Sequence, residues 1–103
     1  MALIEQLRIF DIRPGAMDAF LDAWLKGVYP LRLRHGYQIP SAWVVEADNR
    51  FYWLLTYDGP EDWAEKDRAY YASADRAAVD PDPRQYIMKV EQRFVRRVLP
   101  RDE

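Results

Sequence analysis

The ten residues from Asn49 to Asp58 form the longest uninterrupted apolar and aromatic segment of the chain, and they restrict what the rest can fold into. At the two-residue period of a strand, Phe51, Trp53, Leu55 and Tyr57 share one face and Tyr52, Leu54 and Thr56 share the other. Both faces are largely apolar, so the segment reads as a central strand that needs cover on both sides: helices on one face and a further layer on the other.

The segments before it supply part of that cover. Leu3 to Ile12 carries apolar residues at both parities and reads as a second central strand, ended by Arg13-Pro14-Gly15. From Ala16, residues Met17, Phe20, Leu21, Trp24, Leu25, Val28 and Leu31 recur at three- and four-residue spacings, which predicts an amphipathic helix with Asp18, Asp22 and Lys26 outside. Pro30 is expected to kink that helix or end its first segment. Gly36 is expected to stop it, after the cations Arg32, Arg34 and His35. Tyr37 to Glu46, interrupted by Pro40, fits an edge strand. Ala47, Asp48 and Asn49 then turn it into a hairpin with the Asn49 to Asp58 strand. Beyond that strand, Asp58-Gly59-Pro60-Glu61-Asp62 predicts a helix start, with the helix running from Pro60 to about Ala74. Asp80-Pro81-Asp82-Pro83 is a stiff loop, and Tyr86 to Leu99 alternates as a last strand.

The element order is therefore β, α, β, β, α, β. Right-handed crossovers fold it into an α+β, ferredoxin-like βαββαβ sandwich, a four-stranded antiparallel sheet with two helices on one face and the first and third strands central. Two helices cover only one face, so the other is expected to meet a second copy, making a homodimer through the sheet. The 103 residues fit this single domain and no second one.

Composition narrows the chemistry. The chain has no cysteine and one histidine, which excludes disulfides and thiolate catalysis and makes a protein-only metal site a poor expectation. Fifteen basic and 17 acidic residues give a net charge of −2, without the basic excess that nucleic-acid binding requires. No apolar run approaches the roughly 18 residues of a membrane span, and no secretory leader is read at the start. A cytoplasmic protein without nucleic-acid or membrane partners is expected. Aromatic residues make up 15% of the chain, more than a small core requires, which points to an aromatic-lined pocket or an interface.

Three ionisable residues are candidates for catalysis. Asp67 has Trp63 four residues before it and Tyr70, Tyr71 and Ala74 three, four and seven after, which sets a carboxylate in an aromatic stripe. It is either a general acid–base group or a solvated partner of Lys66 or Arg68. His35, the one side chain that ordinarily titrates near neutrality, follows Trp24, Val28 and Leu31 in helix phase; it is either the proton-transfer residue or a helix-capping cation. Arg8 lies on a buried strand and either pairs with a carboxylate such as Glu91 or binds an anionic ligand. Glu5, at the opposite parity, either reaches the pocket or frays at the strand end. Trp24, Tyr37, Trp43, Trp53, Tyr57, Trp63, Tyr70 and Tyr71 are the candidate substrate-binding residues, able to wall a cavity for a flat ligand. The expected site is the helix-side cavity, with His35 and Asp67 converging on it. Replacing either is expected to leave the melting temperature nearly unchanged, since neither substitution opens a large void.

Several short motifs add a family likeness that spans most of the chain. Gln6-Leu7-Arg8-Ile9-Phe10, Arg13-Pro14-Gly15, Phe20-Leu21, and Pro30-Leu31-Arg32-Leu33-Arg34-His35-Gly36-Tyr37 follow one another as do the E-L-R-x-Y, K-P-G, F-L and P-x-R-x-x-H-G-F patterns of the NIPSNAP-like proteins. Trp43, the Asn49-Arg50 and Thr56-Tyr57-Asp58 ends of the third strand, and the stretch from Glu91 to Leu99-Pro100 continue the likeness. The chain thus resembles a NIPSNAP-like member of the dimeric α/β barrel superfamily. The resemblance implies a homodimer with facing sheets and a pocket in each subunit between sheet and helices. Superfamily relatives include cofactor-free quinone-forming monooxygenases, isomerases, polyketide cyclases and haem proteins. The leading expectation is a cofactor-independent enzyme acting on an aromatic or polyketide-like small molecule. The alternatives are a non-catalytic binding or interaction protein, or a haem protein with His35 as axial ligand.

Overall fold

A computed structural model describes residues 3–100. The chain forms β1 (Ile4–Ile12), α1 (Met17–Ala23), a π-helical turn (Trp24–Val28), α2 (Tyr29–Arg34), β2 (Gln38–Val45), β3 (Arg50–Tyr57), α3 (Trp63–Ala72), α4 (Ala74–Ala77) and β4 (Ile87–Val95). The strands make one antiparallel sheet in the order β2-β3-β1-β4, so the two strands with apolar residues on both faces are the central ones. This is the ferredoxin-like α+β sandwich.

The elements end where local chemistry ends them. Gly36, at φ +91°, closes α2 in a Schellman arrangement, its amide donating to Leu33 and that of Tyr37 to Arg32. Asn49 takes the left-handed conformation at the hairpin (φ 54°), and its side-chain amide donates to the Ile12 carbonyl at 2.7 Å, fastening the turn to β1. Pro30 sits in the first turn of α2, where a new helical segment begins, in line with a proline that ends the first segment. It has no amide hydrogen for a regular bond to Lys26; ahead of it the helix widens into the π turn, where the Tyr29 amide donates to Trp24. The second helix begins three residues later than expected. Asp62 is its cap, accepting from the amides of Ala64 and Glu65, and Ser73 interrupts the helix by capping α4 in turn.

Strand register settles which residues face the helices. Arg8 lies opposite Trp53, and Phe10 opposite Phe51, on the helix side of β1 and β3. There Phe10, Phe20, Trp24, Phe51 and Trp53 interlock with ring centroids 4.9–5.9 Å apart, mostly edge to face. The opposite face presents Leu7, Ile9, Tyr52 and Leu54, half-buried, with Trp43 beside Tyr52 at 50% exposure. Helical cover also stops short of β4, where Val90 and Phe94, paired with Phe10 and Gln6, stand exposed. No helix among the described residues is long and apolar enough to cross a membrane.

Candidate functional site

Between the sheet and α3 lies a group of charges gathered from three elements. Arg8 of β1 donates to Asp67 Oδ2 of α3 at 3.0 Å, and Arg32 of α2 donates to Asp67 Oδ1 at 2.9 Å. The Tyr71 hydroxyl accepts from both guanidinia, at 3.3 and 3.2 Å, and Gln6 accepts from Arg8 Nε at 2.7 Å. Both arginines are buried, whereas Asp67 keeps a fifth of its side chain exposed. The Arg32 guanidinium lies 3.7 Å from the Tyr70 ring centroid and 4.7 Å from that of Tyr37; the Arg8 guanidinium lies 5.5 Å from the Trp53 ring. Aromatic faces and one shared carboxylate together hold two cations out of water.

Beside this cluster is a cavity of about 20 Å³, room for one or two waters. Trp24, Trp53, Tyr70 and Tyr71 line it together with Arg32, Arg76 and Arg84. Arg76 comes from α4 and is buried; its Nη2 donates to Asp82 at 2.9 Å. Asp82 also accepts a backbone bond and two side-chain bonds from Arg84. Burial alone would raise the Asp82 carboxyl, but hydrogen bonds from Arg84 and Arg76 outweigh it and bring its pKa down to about 2. Burial pushes the Tyr37 phenol up to about 12 and moves Tyr70 upward as well, so neither phenol titrates near neutrality.

The residues singled out from the sequence are only partly brought together. Asp67 and Arg8 meet, each as the other's partner. Glu91 cannot serve Arg8, because it pairs with Ile9 and faces the other side of the sheet, and Gln92 is the residue opposite Arg8. Lys66 and Arg68 pair with Glu61 and Glu65 instead of Asp67. Glu5 is buried and held by Arg97 at 2.6 Å. His35 does not line the cavity. Its ring packs edge-on against Tyr70, with centroids 5.2 Å apart, and Nε2 lies 3.8 Å from Asp75. Trp24, Trp53, Tyr70 and Tyr71 line the cavity as a group. Tyr37, Tyr57 and Trp63 lie outside the cavity lining, beside Lys66, with Tyr37–Tyr57 and Tyr37–Trp63 centroids 5.6 and 6.2 Å apart, and join it through Tyr37–Tyr70 at 6.2 Å. Trp43 departs most from expectation. It stands on the opposite face of the sheet, where Leu7, Trp43, Val45 and Tyr52 border an open groove of about 460 Å³.

Sequence reasoning missed Arg32 and Arg76 as interior residues. Arg32 follows Leu31, the residue that carries the inward stripe, and its place near a helix end suggested a solvated capping cation. For Arg76 no periodic signal exists, because Ser73 resets the helix phase.

The profile of the NIPSNAP family matches residues 4–99. Among solved structures, an uncharacterized NIPSNAP domain protein from Burkholderia xenovorans superposes with a TM-score of 0.79 at 17% identity, covering 99% of this chain and 100% of its own. A NIPSNAP family protein from Agrobacterium tumefaciens gives 0.79 at 19% identity, with 91% of each chain covered. The protein from Bordetella bronchiseptica named "Putative antibiotic biosynthesis monooxygenase" gives 0.75 at 16% identity, over 96% of this chain and 100% of that one. No curated protein sequence matches the chain. Similarities at these identities speak for the fold, and the profile, matched over nearly the whole sequence, decides the family: the chain belongs to the NIPSNAP family.

Proposed function

We propose that the protein is a small, cofactor-independent enzyme that acts on a flat aromatic or polyketide-like molecule at the helix-side cavity. The observation that carries this reading is a small cavity walled by Trp24, Trp53, Tyr70 and Tyr71 and bordered by guanidinia, whose interior stabilises negative charge on the ligand's polar end while the planar ring stacks at its mouth. The chain's contribution is electrostatic. Both oxygens of Asp67 are engaged by arginines, which leaves it a counter-ion and orienting group for Arg8 and Arg32 rather than a free base. Arg32, Arg76 and Arg84, the guanidinia that line the cavity, favour the phenolate or enolate form of the substrate. That anion can be reprotonated at carbon, giving isomerisation, or its carbon can attack a carbonyl of the same molecule, the C=O π bond opening to an alkoxide that takes up the proton, giving cyclisation. It can also pass electrons to dioxygen, one oxygen atom entering the ring and the other leaving as water with two substrate hydrogens. The structural neighbour that bears a monooxygenase name favours the second course.

Hydroxylated naphthalenes and anthrones are expected to quench tryptophan fluorescence, because Trp24 and Trp53 line the cavity, and to be turned over in air with EDTA present. Quenching without turnover would leave the non-catalytic binding protein, a reading supported by the lack of a free acid or base among the described residues lining the cavity. Absence of both would remove the pocket reading. A haem has no support here: His35 Nε2 faces Asp75, and the cavity is far smaller than the macrocycle.

The second half of the proposal is a homodimer through the helix-free face of the sheet. Leu7, Trp43, Val45 and Tyr52 form a continuous apolar surface on the two central strands and the β2 edge, a combination that isolated soluble domains rarely leave open. Sedimentation at micromolar concentration is expected to give twice the 12.3 kDa chain mass, and Trp43→Asp to shift it to the monomer. A stable wild-type monomer would overturn this half.

A further inference from the structure

The residues lining the cavity carry a concentration of buried side-chain hydrogen-bond donors without partners among the described residues. Buried side-chain atoms without a partner among the described residues are Trp24 Nε1, Trp53 Nε1, Tyr70 Oη, Arg32 Nε, Arg76 Nε, Arg76 Nη1 and Tyr37 Oη. All but the last belong to residues that line this one cavity. Tyr70 aside, every such atom on a lining residue can only donate. No acid is among the described lining residues, and their three charged side chains are all arginine. A buried donor without an acceptor costs about 1–3 kcal/mol, and more when charged, so this concentration in one place calls for an occupant that accepts.

We infer that the cavity is the anion subsite for the ligand: it takes the carboxylate or enolate of a planar aromatic molecule, held by Arg76 and Arg32. The inference rests on the aromatic-pocket reading above and narrows its substrate class. The enclosed volume of about 20 Å³ admits a charged head and not a ring. The ring then lies at the mouth, where Tyr71 is 40% exposed and the Arg84 guanidinium sits 5.9 Å from its ring centroid. Arg32 spends its two terminal nitrogens on Asp67 and Tyr71, leaving Nε. Arg76 spends only Nη2, on Asp82, leaving Nε and Nη1, which lie on different edges of the guanidinium and each offer one charge-assisted bond. Arg76 is therefore the main anion holder, and its 3% exposure makes it a poor candidate for an ordinary surface ion pair.

Titration calorimetry with 2-naphthoate, its neutral counterpart 2-naphthamide, and inorganic phosphate tests this. Charge-assisted bonds predict that naphthoate binds the wild-type protein at least about tenfold tighter than naphthamide or phosphate. Arg76→Met should bring naphthoate and naphthamide to nearly equal affinity. That variant should still fold, because Asp82 keeps its bonds from Arg84 and no buried charge is stranded; an unchanged melting temperature checks the point, and Arg76→Lys should restore part of the preference. Equal binding of naphthoate and naphthamide by the wild-type protein would overturn the anion subsite while leaving the aromatic pocket intact. Phosphate binding as tightly as naphthoate would reduce the site to one for any anion and overturn the aromatic half. If neither aromatic binds, this inference falls together with the functional proposal. If Arg76→Met keeps the full preference, the assignment to Arg76 is wrong.

Discussion

Asp67→Ala is expected to lower the free energy of unfolding by about 3–5 kcal/mol, the usual cost of removing one partner from a buried ion pair. The carboxylate is the only anion that Arg8 and Arg32 touch among the described residues, and both guanidinia are shut away from solvent with Tyr71 and Gln6 as their remaining acceptors. Neutral hydroxyl and amide oxygens cannot replace a full negative charge between two cations. The loss would be a large share of the roughly 5–15 kcal/mol that holds a domain of this size together. The void left behind is small, which is why the sequence alone suggested little effect on melting; charge, not volume, decides the result. Asp67→Asn should fall between, since it keeps the shape and one acceptor oxygen. Urea unfolding of the three proteins is the measurement. A loss below about 1 kcal/mol for the alanine variant would mean that water reaches the arginines and screens them as it does a surface pair.

Trp53→Ala is expected to destabilise by a similar amount, about 3–5 kcal/mol, through a different mechanism. Trp53 is 1% exposed, near the middle of its strand, with Phe10 and Trp24 at 5.9 and 5.3 Å on one side and the Arg8 and Arg32 guanidinia at 5.5 and 5.9 Å. Its removal opens a void in the aromatic cluster and takes away the ring that both cations face. Because Trp53 and Asp67 share those two arginines, the double variant should lose less than the sum of the single losses. Strict additivity in urea unfolding would show that the aromatic cluster and the charge cluster are energetically separate.

These expectations draw on parts of the molecule that differed in how plainly the sequence announced them. Period-two patterning marked β1 and β3 as central because both faces of each strand are apolar, and strand order followed. Gly36 and Asn49 announced their turns because those backbone conformations favour those residues. Helix phase was harder to read. The π turn adds a residue to one helical turn, so Leu31 and Arg32, adjacent in sequence, are both buried after it. A strict 3.6-residue stripe carries the first inward and passes over the second. Asp67 was legible as a carboxylate on a buried stripe, but its partners lie on two other elements and follow only from the register that sets Arg8 opposite Trp53. Trp43 was misplaced for a related reason: an edge strand interrupted by Pro40 has a register irregularity between Gln38 and Ser41, and a one-residue slip exchanges the faces of everything beyond it.

Burial of Arg8, Arg32 and Arg76 also changes what the molecule presents to its surroundings. Among the described residues, three positive charges are withdrawn from solvent against one fully buried carboxylate, Glu5, and the mostly buried Asp67, so the charge facing solution is more negative than the formal −2 of the whole chain. An approaching anion meets repulsion at long range and attraction only on arrival. The two fields respond differently to salt, since mobile ions screen exposed charges beyond about 8 Å at physiological strength and act much less on buried ones. Added salt should therefore speed the encounter with an anionic ligand while scarcely loosening its hold, the reverse of the steering that basic surfaces give.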